Sequence, residues 1–272
     1  MTGTPREVAN LPKQTHLMQK PNPETTPNGD SLLSRPGVCS TRPVVIRDGH
    51  ILIPDGESGF AILDTGSPVS IGRGSTFAIA GQTWNPSTAM ESVLDDVGSH
   101  LRTRIDWLLG HDFFAANRVI IDWPRRQVHV LGISDRHAEG RVTAIELVMG
   151  VPVARVHTSD GLIRAVIDTG ASPSFVTPNV VSGLTPIGRR ADFFPDFGGF
   201  ETDVYRVRAE LGGRLLELTA GVLPPTVQMR FGRLLGHDSW IIGSDFFRER
   251  VIEIDYRRQR FVDLTHSSDF DG

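Results

Sequence analysis

The feature that most constrains this chain is an apolar run ending in Asp-Thr-Gly, and it occurs twice. The first copy is Phe60-Ala61-Ile62-Leu63-Asp64-Thr65-Gly66-Ser67, and the second is Ala165-Val166-Ile167-Asp168-Thr169-Gly170-Ala171-Ser172. Asp before Gly is ordinary turn chemistry, so one copy says little. Two copies, each closing a strand-like apolar run, predict a duplicated β unit. Burying a carboxylate is costly without a compensating role. The copies therefore read as two halves of one site with two carboxylates, against the alternative of a duplication that serves structure alone.

The repeat extends in both directions. Downstream of the first copy lies Trp107-Leu108-Leu109-Gly110-His111-Asp112-Phe113-Phe114, and downstream of the second lies Trp240-Ile241-Ile242-Gly243-Ser244-Asp245-Phe246-Phe247. Val119-Ile120-Ile121-Asp122-Trp123 then matches Ile252-Glu253-Ile254-Asp255-Tyr256, and Arg125-Arg126-Gln127 matches Arg257-Arg258-Gln259. An apolar run, a polar turn and another apolar run predict a hairpin in each half. Upstream, strand-like runs at 44–47 and 50–53 flank Asp48-Gly49, and runs at 144–149 and 151–157 precede Ser159-Asp160-Gly161. Asp-Gly between apolar runs is a hairpin signal. The duplication thus covers most of residues 43–131 and 141–264.

An apolar run into Asp-Thr-Gly-Ser/Ala, followed by two apolar residues and Gly, resembles the pepsin and retropepsin aspartic proteases. The Leu-Leu-Gly-x-Asp-Phe-Phe form is closer to the retropepsin branch and its bacterial relatives. The resemblance implies an all-β, bilobal pepsin-like fold built from two retropepsin-like halves in one chain, with Asp64 and Asp168 as the catalytic pair between the lobes. A monomer would then suffice, the partner would be a peptide or protein substrate, and no cofactor or metal would be needed. It further implies that Thr65 and Thr169 interlock across the lobe interface. Gly110 and Gly243 would lie where a strand threads beneath each Asp loop. A hydroxyl after the Asp-Thr-Gly favours the ionised form of the neighbouring carboxylate in the family. With Ser67 in one loop and Ala171 in the other, Asp64 would be the more acidic member. Gly66 and Gly170 permit a tight turn and close backbone approach.

The chemistry fits these residue types. Peptide hydrolysis without a metal or a protein nucleophile needs an activated water and a proton donor. Two close carboxylates cannot easily both ionise, so the pair holds one proton. The ionised member acts as general base on water, and the protonated member polarises the substrate carbonyl.

Composition narrows the remaining classes. With 28 basic and 32 acidic residues the net charge is −4, and no basic block is interleaved with aromatics. This argues against a nucleic-acid partner. Cys39 is the single cysteine, which excludes an intrachain disulfide, a departure from secreted pepsins, and gives no paired thiol chemistry. No apolar run has the length of a membrane span, and no signal core is visible, so a cytoplasmic location without membrane contact is expected.

In chain order, residues 1–40 read as a flexible segment rich in Pro, Thr and Asn. The resemblance offers a propeptide there, but the segment lacks a strong basic excess. The N-terminal lobe is expected over 41–132, a linker over 133–140, the C-terminal lobe over 141–265 and a short tail over 266–272. Residues 90–104 are the best helix candidate of the first half. The second half is the longer, and much of its extra length falls in residues 188–208. There Phe193, Phe194, Phe197, Gly198, Gly199 and Phe200 predict a hairpin with a Gly-Gly tip and exposed aromatics. The resemblance makes it a substrate-binding flap, the one flap of the molecule, with a packed surface loop as the alternative. His111 and His237 show no metal-ligand spacing. Asp112, Asp245, Asp122 and Asp255 read as caps and turns, and the Arg pairs as solvated hairpin tips. The rival functional readings are a non-catalytic peptide-binding module and a zymogen silenced by residues 1–40.

Overall fold

The computed structural model describes residues 38–56, 59–73, 76–84, 87–88, 90–132, 139–159, 161–194, 197–235 and 240–266. The first half of the sequence opens with β1 (Val38–Pro43), β2 (Val45–Arg47), β3 (His50–Asp55) and β4 (Gly59–Leu63), the last running into Asp64. It continues through β5 (Ile71–Gly72), the small hairpin of β6 (Phe77–Ile79) and β7 (Gln82–Trp84), and helix α1 (Glu91–Leu101). Then come β8 (Ile105–Leu109), the short helix α2 (His111–Ala116), β9 (Arg118–Asp122) and β10 (Gln127–Leu131). The second half runs through β11 (Arg141–Val148), β12 (Val151–Thr158), β13 (Gly161–Ile167) and β14 (Ser174–Val176). It then forms β15 (Gly188–Phe194), β16 (Gly198–Leu211), β17 (Arg214–Val222) and helix α3 (Pro225–Leu235). The last strands are β18 (Trp240–Ile242), β19 (Val251–Asp255) and β20 (Arg260–Asp263). The chain is mostly β, as expected.

Each Asp-Thr-Gly sits in the same local topology. β4 pairs in parallel with β8, and β13 pairs in parallel with β18. Strand β5 then lies antiparallel on β8, and β14 antiparallel on β18. Parallel strands flanked on both sides must be apolar on both faces. That is why the runs before Asp64 and Gly110 are continuous rather than alternating. Ala61, Leu63, Trp107 and Leu109 face the main core, while Ile62 and Leu108 face a second cluster under α1. Helix α1 contributes Val93, Leu94 and Leu101 to that cluster. In the other half Ala165 and Ile167 face the main core, while Val166 and Ile241 face a cluster that includes Val227 of α3.

The halves join through β9 and β19, which pair antiparallel from Val119↔Ile254 to Asp122↔Val251. β10 and β1 extend this sheet on one side, and β20 and β11 on the other. Arg118 and Glu253, both buried, bridge the junction with a contact of 2.8 Å. The Asp48-Gly49 turn connects β2 to β3 as its hairpin signal predicts, and Met149-Gly150, which no signal singled out, connects β11 to β12, all four residues at positive φ.

Some boundaries differ from expectation. The expected 1–40 segment loses its end to β1, which begins at Val38 because the edge of β10 offers it a pairing partner. Residues 133–138 of the expected linker, 1–37 of the N-terminal segment and 267–272 of the tail lie outside the described residues. Among the described residues no helix is long and apolar enough to cross a membrane.

Candidate active site

β4 and β13 deliver Asp64 and Asp168 to one point, where the Gly66 N–H reaches both carboxyls, 2.9 Å from Asp64 Oδ1 and 3.1 Å from Asp168 Oδ1. The loops that carry them are locked by Thr65 and Thr169, both buried. The Thr65 N–H donates to Thr169 Oγ1 at 2.9 Å, and the Thr169 N–H donates to Thr65 Oγ1 at 2.9 Å. Each hydroxyl in turn donates across the interface, Thr65 to Ile167 O at 2.8 Å and Thr169 to Leu63 O at 2.7 Å.

Glycine is required where the loops meet. A Cβ on Gly66 would stand 2.3 Å from Asp168 Oδ2, and one on Gly170 would stand 2.7 Å from Asp64 Cγ. Below the loops, a Cβ on Gly110 would meet Val69 O at 2.4 Å, and one on Gly243 would meet Ala171 O at 2.2 Å. Each is followed by an amide that holds the loop, His111 N–H donating to Ser67 O at 3.0 Å and Ser244 N–H to Ala171 O at 2.9 Å.

Asp112 and Asp245 were expected as caps and turns. Asp112 Oδ1 accepts the Ser70 N–H at 2.7 Å, and Asp245 Oδ2 accepts the Thr219 N–H at 2.9 Å and the Ser174 hydroxyl at 3.2 Å. Both thus brace the chain beyond the Asp loops, through contacts distant in sequence. Asp122 and Asp255 do close turns, accepting the N–H of Arg125 at 2.9 Å and of Arg258 at 3.2 Å. His111 stacks on Tyr256 with ring centroids 5.7 Å apart, and His237 lies outside the described residues.

The pair is electrostatically unequal. Burial, the adjacent Asp168 carboxylate and the hydrogen bond to it push Asp64 well above the ordinary carboxylate range. Burial also raises Asp168, but the N–H groups of Gly170 and Gly66 and the bond from Asp64 oppose it. Asp168 Oδ1 accepts Gly170 N–H at 2.7 Å and Gly66 N–H at 3.1 Å. Asp64 Oδ1 likewise accepts the Gly66 N–H at 2.9 Å, so both carboxyls are raised by burial and partly held down by the loop amides. A Ser67 hydroxyl bonded to a carboxylate was the expected reason for Asp64 to be the more acidic member. The Ser67 hydroxyl donates to Val69 O at 2.8 Å instead of to a carboxylate.

The pair opens into a cleft of about 260 Å³. One wall is apolar and comes from α1 and the strands beneath it, including Ile71, Val93 and Val97. The facing wall includes Ala171, Phe175 and Ile241, with Asp192, Phe193 and Phe194 of the β15–β16 hairpin. That hairpin therefore lies at the pair, as expected of residues 188–208. Its tip differs. Phe194 pairs with Gly198 and Phe193 with Gly199, so the glycines are strand residues, and Phe197 lies in the turn with its N–H donating to Phe194 O at 3.0 Å. Phe200 packs on Phe175 at 6.0 Å and Phe197 on Phe200 at 6.3 Å; of the predicted aromatics, Phe193 and Phe194 line the cleft.

Four residues of the site escaped the sequence reading. Buried His50 at the start of β3 reaches across to Gly170, with Nε2 at 2.9 Å from its carbonyl oxygen. His100 on α1 and Asp192 on β15 face each other, Nε2 to Oδ1 at 3.9 Å. Tyr256 lies buried beneath the pair with its hydroxyl 3.5 Å from Thr65 O, and burial with the two carboxylates pushes its phenol well above its usual range. Tyr256 was visible as a repeat position. His50 opens the repeated run 50–53 but was not singled out there, and His100 and Asp192 belong to no repeated element. No group of His, Cys, Asp and Glu among the described residues is arranged to hold a metal ion.

No family model matches the chain, and no curated protein matches it. Among solved structures it is similar to the solution structure of Simian Foamy Virus (mac) protease at 16% identity and a TM-score of 0.25, over 34% of this chain and 86% of that one. It is also similar to the foamy viral protease-reverse transcriptase in complex with an RNA/DNA hybrid, at 18% identity and a TM-score of 0.26. That match covers 33% of this chain and 10% of the other, so this chain spans a small part of that protein's length. Likenesses this slight say nothing about the chemistry of Asp64 and Asp168.

Proposed function

We propose that this chain is an aspartic endopeptidase of bilobal, pepsin-like build, each half supplying one carboxylate and a single chain sufficing for activity. The observation that carries the reading is the reciprocal Thr65–Thr169 lock holding two carboxyls on one Gly66 N–H in the lining of a cleft. A merely structural duplication has no need to bring two carboxylates into contact, because close like charges oppose ionisation.

In this mechanism Asp168, ionised and held by two glycine N–H groups, takes a proton from the attacking water. Asp64 donates its proton towards the carbonyl oxygen of the scissile peptide. The tetrahedral intermediate then collapses: the proton taken by Asp168 passes to the departing amine as the C–N bond breaks, and a hydroxyl of the intermediate returns its proton to Asp64. The β15–β16 hairpin serves as the flap, with Phe193 and Phe194 covering the substrate backbone. The apolar walls favour apolar side chains around the cut.

The test is cleavage of a mixed peptide library from pH 3 to 8 by wild type, Asp64→Asn and Asp168→Asn. Activity lost in both variants is expected. Activity retained in either would remove the shared-pair mechanism.

A further inference from the structure

Among the described residues, two buried polar atoms of the cleft have no partner, and both are acceptors. The first is Asp192 Oδ2. Asp192 is 7% exposed, and its Oδ1 accepts the N–H of Phe193 at 2.7 Å while Oδ2 bonds to nothing. The second is His50 Nδ1. His50 is 5% exposed, and its Nε2 lies 2.9 Å from the Gly170 carbonyl oxygen. A carbonyl only accepts, so Nε2 carries the hydrogen, and burial lowers the ring's proton affinity and keeps it neutral. Nδ1 then carries a lone pair with no hydrogen-bond partner among the described residues, although the Arg47 backbone also acts on the ring.

The charged groups that line the cleft have one sign, while Arg190 acts on Asp192, His50 and His100 from beside it. The described residues lining the cleft include the carboxyls of Asp64, Asp168 and Asp192, and no Lys or Arg. Arg190, on the same strand as Asp192, points its Nη2 to Asp48 O at 3.2 Å. His100 stands between the two unpartnered residues, its ring 6.5 Å from His50 and its Nε2 3.9 Å from Asp192 Oδ1. Burial and Arg190 depress its protonation, so it brings little positive charge at neutral pH. A buried acceptor without a donor is destabilising, and a buried carboxylate without a cation more so. A ligand that remedies both must be rich in donors and positively charged.

We propose that the cleft selects peptides with an arginine or lysine side chain beside the bond to be cut, received by Asp192 Oδ2 and His50 Nδ1. The proposal rests on the reading of the cleft as a peptide site. A guanidinium offers five N–H donors in a fixed plane and an ammonium three, so arginine is the better match to two separate acceptors. The stem of either side chain lies along the apolar walls. The remaining positions of the peptide meet those walls, so one basic residue among apolar neighbours is the substrate pattern.

The test uses peptides whose central bond is reduced and cannot be cleaved. In one pair arginine or norleucine stands immediately before that bond, and in a second pair immediately after it. Binding to wild type, Asp192→Asn and Asp192→Ser is measured by calorimetry at neutral pH. In wild type, arginine should exceed norleucine by about tenfold or more at one of the two positions, the scale of a charge-assisted hydrogen bond. The ratio should collapse towards unity in both variants. Equal binding of the members of each pair by wild type would overturn the proposal, as would failure of all the peptides to bind or a ratio that survives in both variants. Ordinary peptides of the same sequences are assayed for hydrolysis alongside. Selective binding without hydrolysis would sink the peptidase reading and leave this one standing, whereas hydrolysis without selectivity would do the reverse.

Discussion

Thr65 and Thr169 each accept the other's backbone N–H at 2.9 Å while donating to the strand that precedes the other's aspartate. Four buried hydrogen bonds thus tie the two halves together directly beneath the carboxylates. Thr169→Ala should leave the Thr65 N–H without its acceptor and Leu63 O without its donor, costing ~1–3 kcal/mol for each group so stranded. Peptide cleavage should fall with it, because the carboxylates lose their fixed separation. Thr169→Ser keeps the hydroxyl and should retain most stability and activity. Thermal unfolding and cleavage rates for both variants check this, and a serine variant as damaged as the alanine one would show that the methyl group is what matters.

Ser67→Ala should leave the acidic limb of the pH–rate profile where it is. The Ser67 hydroxyl serves Val69 O, and the backbone N–H that helps Asp64 is untouched by the substitution. An upward shift of that limb would mean that the hydroxyl turns to a carboxylate when substrate binds.

Burial of Asp192 raises its carboxyl to about 6. The folded protein therefore holds this proton over a range in which the unfolded chain has released it. The resulting penalty is absent below about pH 4 and complete above about pH 6, so stability falls as pH rises through that window. Asp64 and Asp168 act in the same direction, while His50 and His100, depressed by burial, act in the opposite one. The comparison with Asp192→Asn isolates the single group. Relative to wild type, the variant should gain up to ~3 kcal/mol between pH 4 and pH 7 in urea unfolding. A difference that does not change with pH would show Asp192 to be solvated.

The ion pair between Arg118 and Glu253 lies in the strand pair that joins the halves, with both side chains almost fully buried. Arg118→Met should cost ~3–5 kcal/mol, because Glu253 is left as a buried charge without its main partner. The double substitution Arg118→Met with Glu253→Leu should recover most of that loss. Denaturant midpoints decide the matter, and a double variant as unstable as the single one would put the damage in packing instead of charge.

The sequence by itself determined the duplicated frame. Continuous apolar runs before Asp64 and Asp168 can only be strands covered on both faces, and Asp-Thr-Gly, the two downstream glycines and the hairpin turns recur at matching places. Repetition made these elements legible, because each copy tested the other. The tertiary structure decided what repetition did not single out. His50, His100 and Asp192 are scattered over β3, α1 and β15, and only the meeting of those elements over the carboxylates puts them into one cleft. The partner of the Ser67 hydroxyl was decided there too, since it donates to Val69 O at 2.8 Å. Local pattern fixes strands and turns, whereas burial and the direction of each polar atom depend on neighbours distant in the chain.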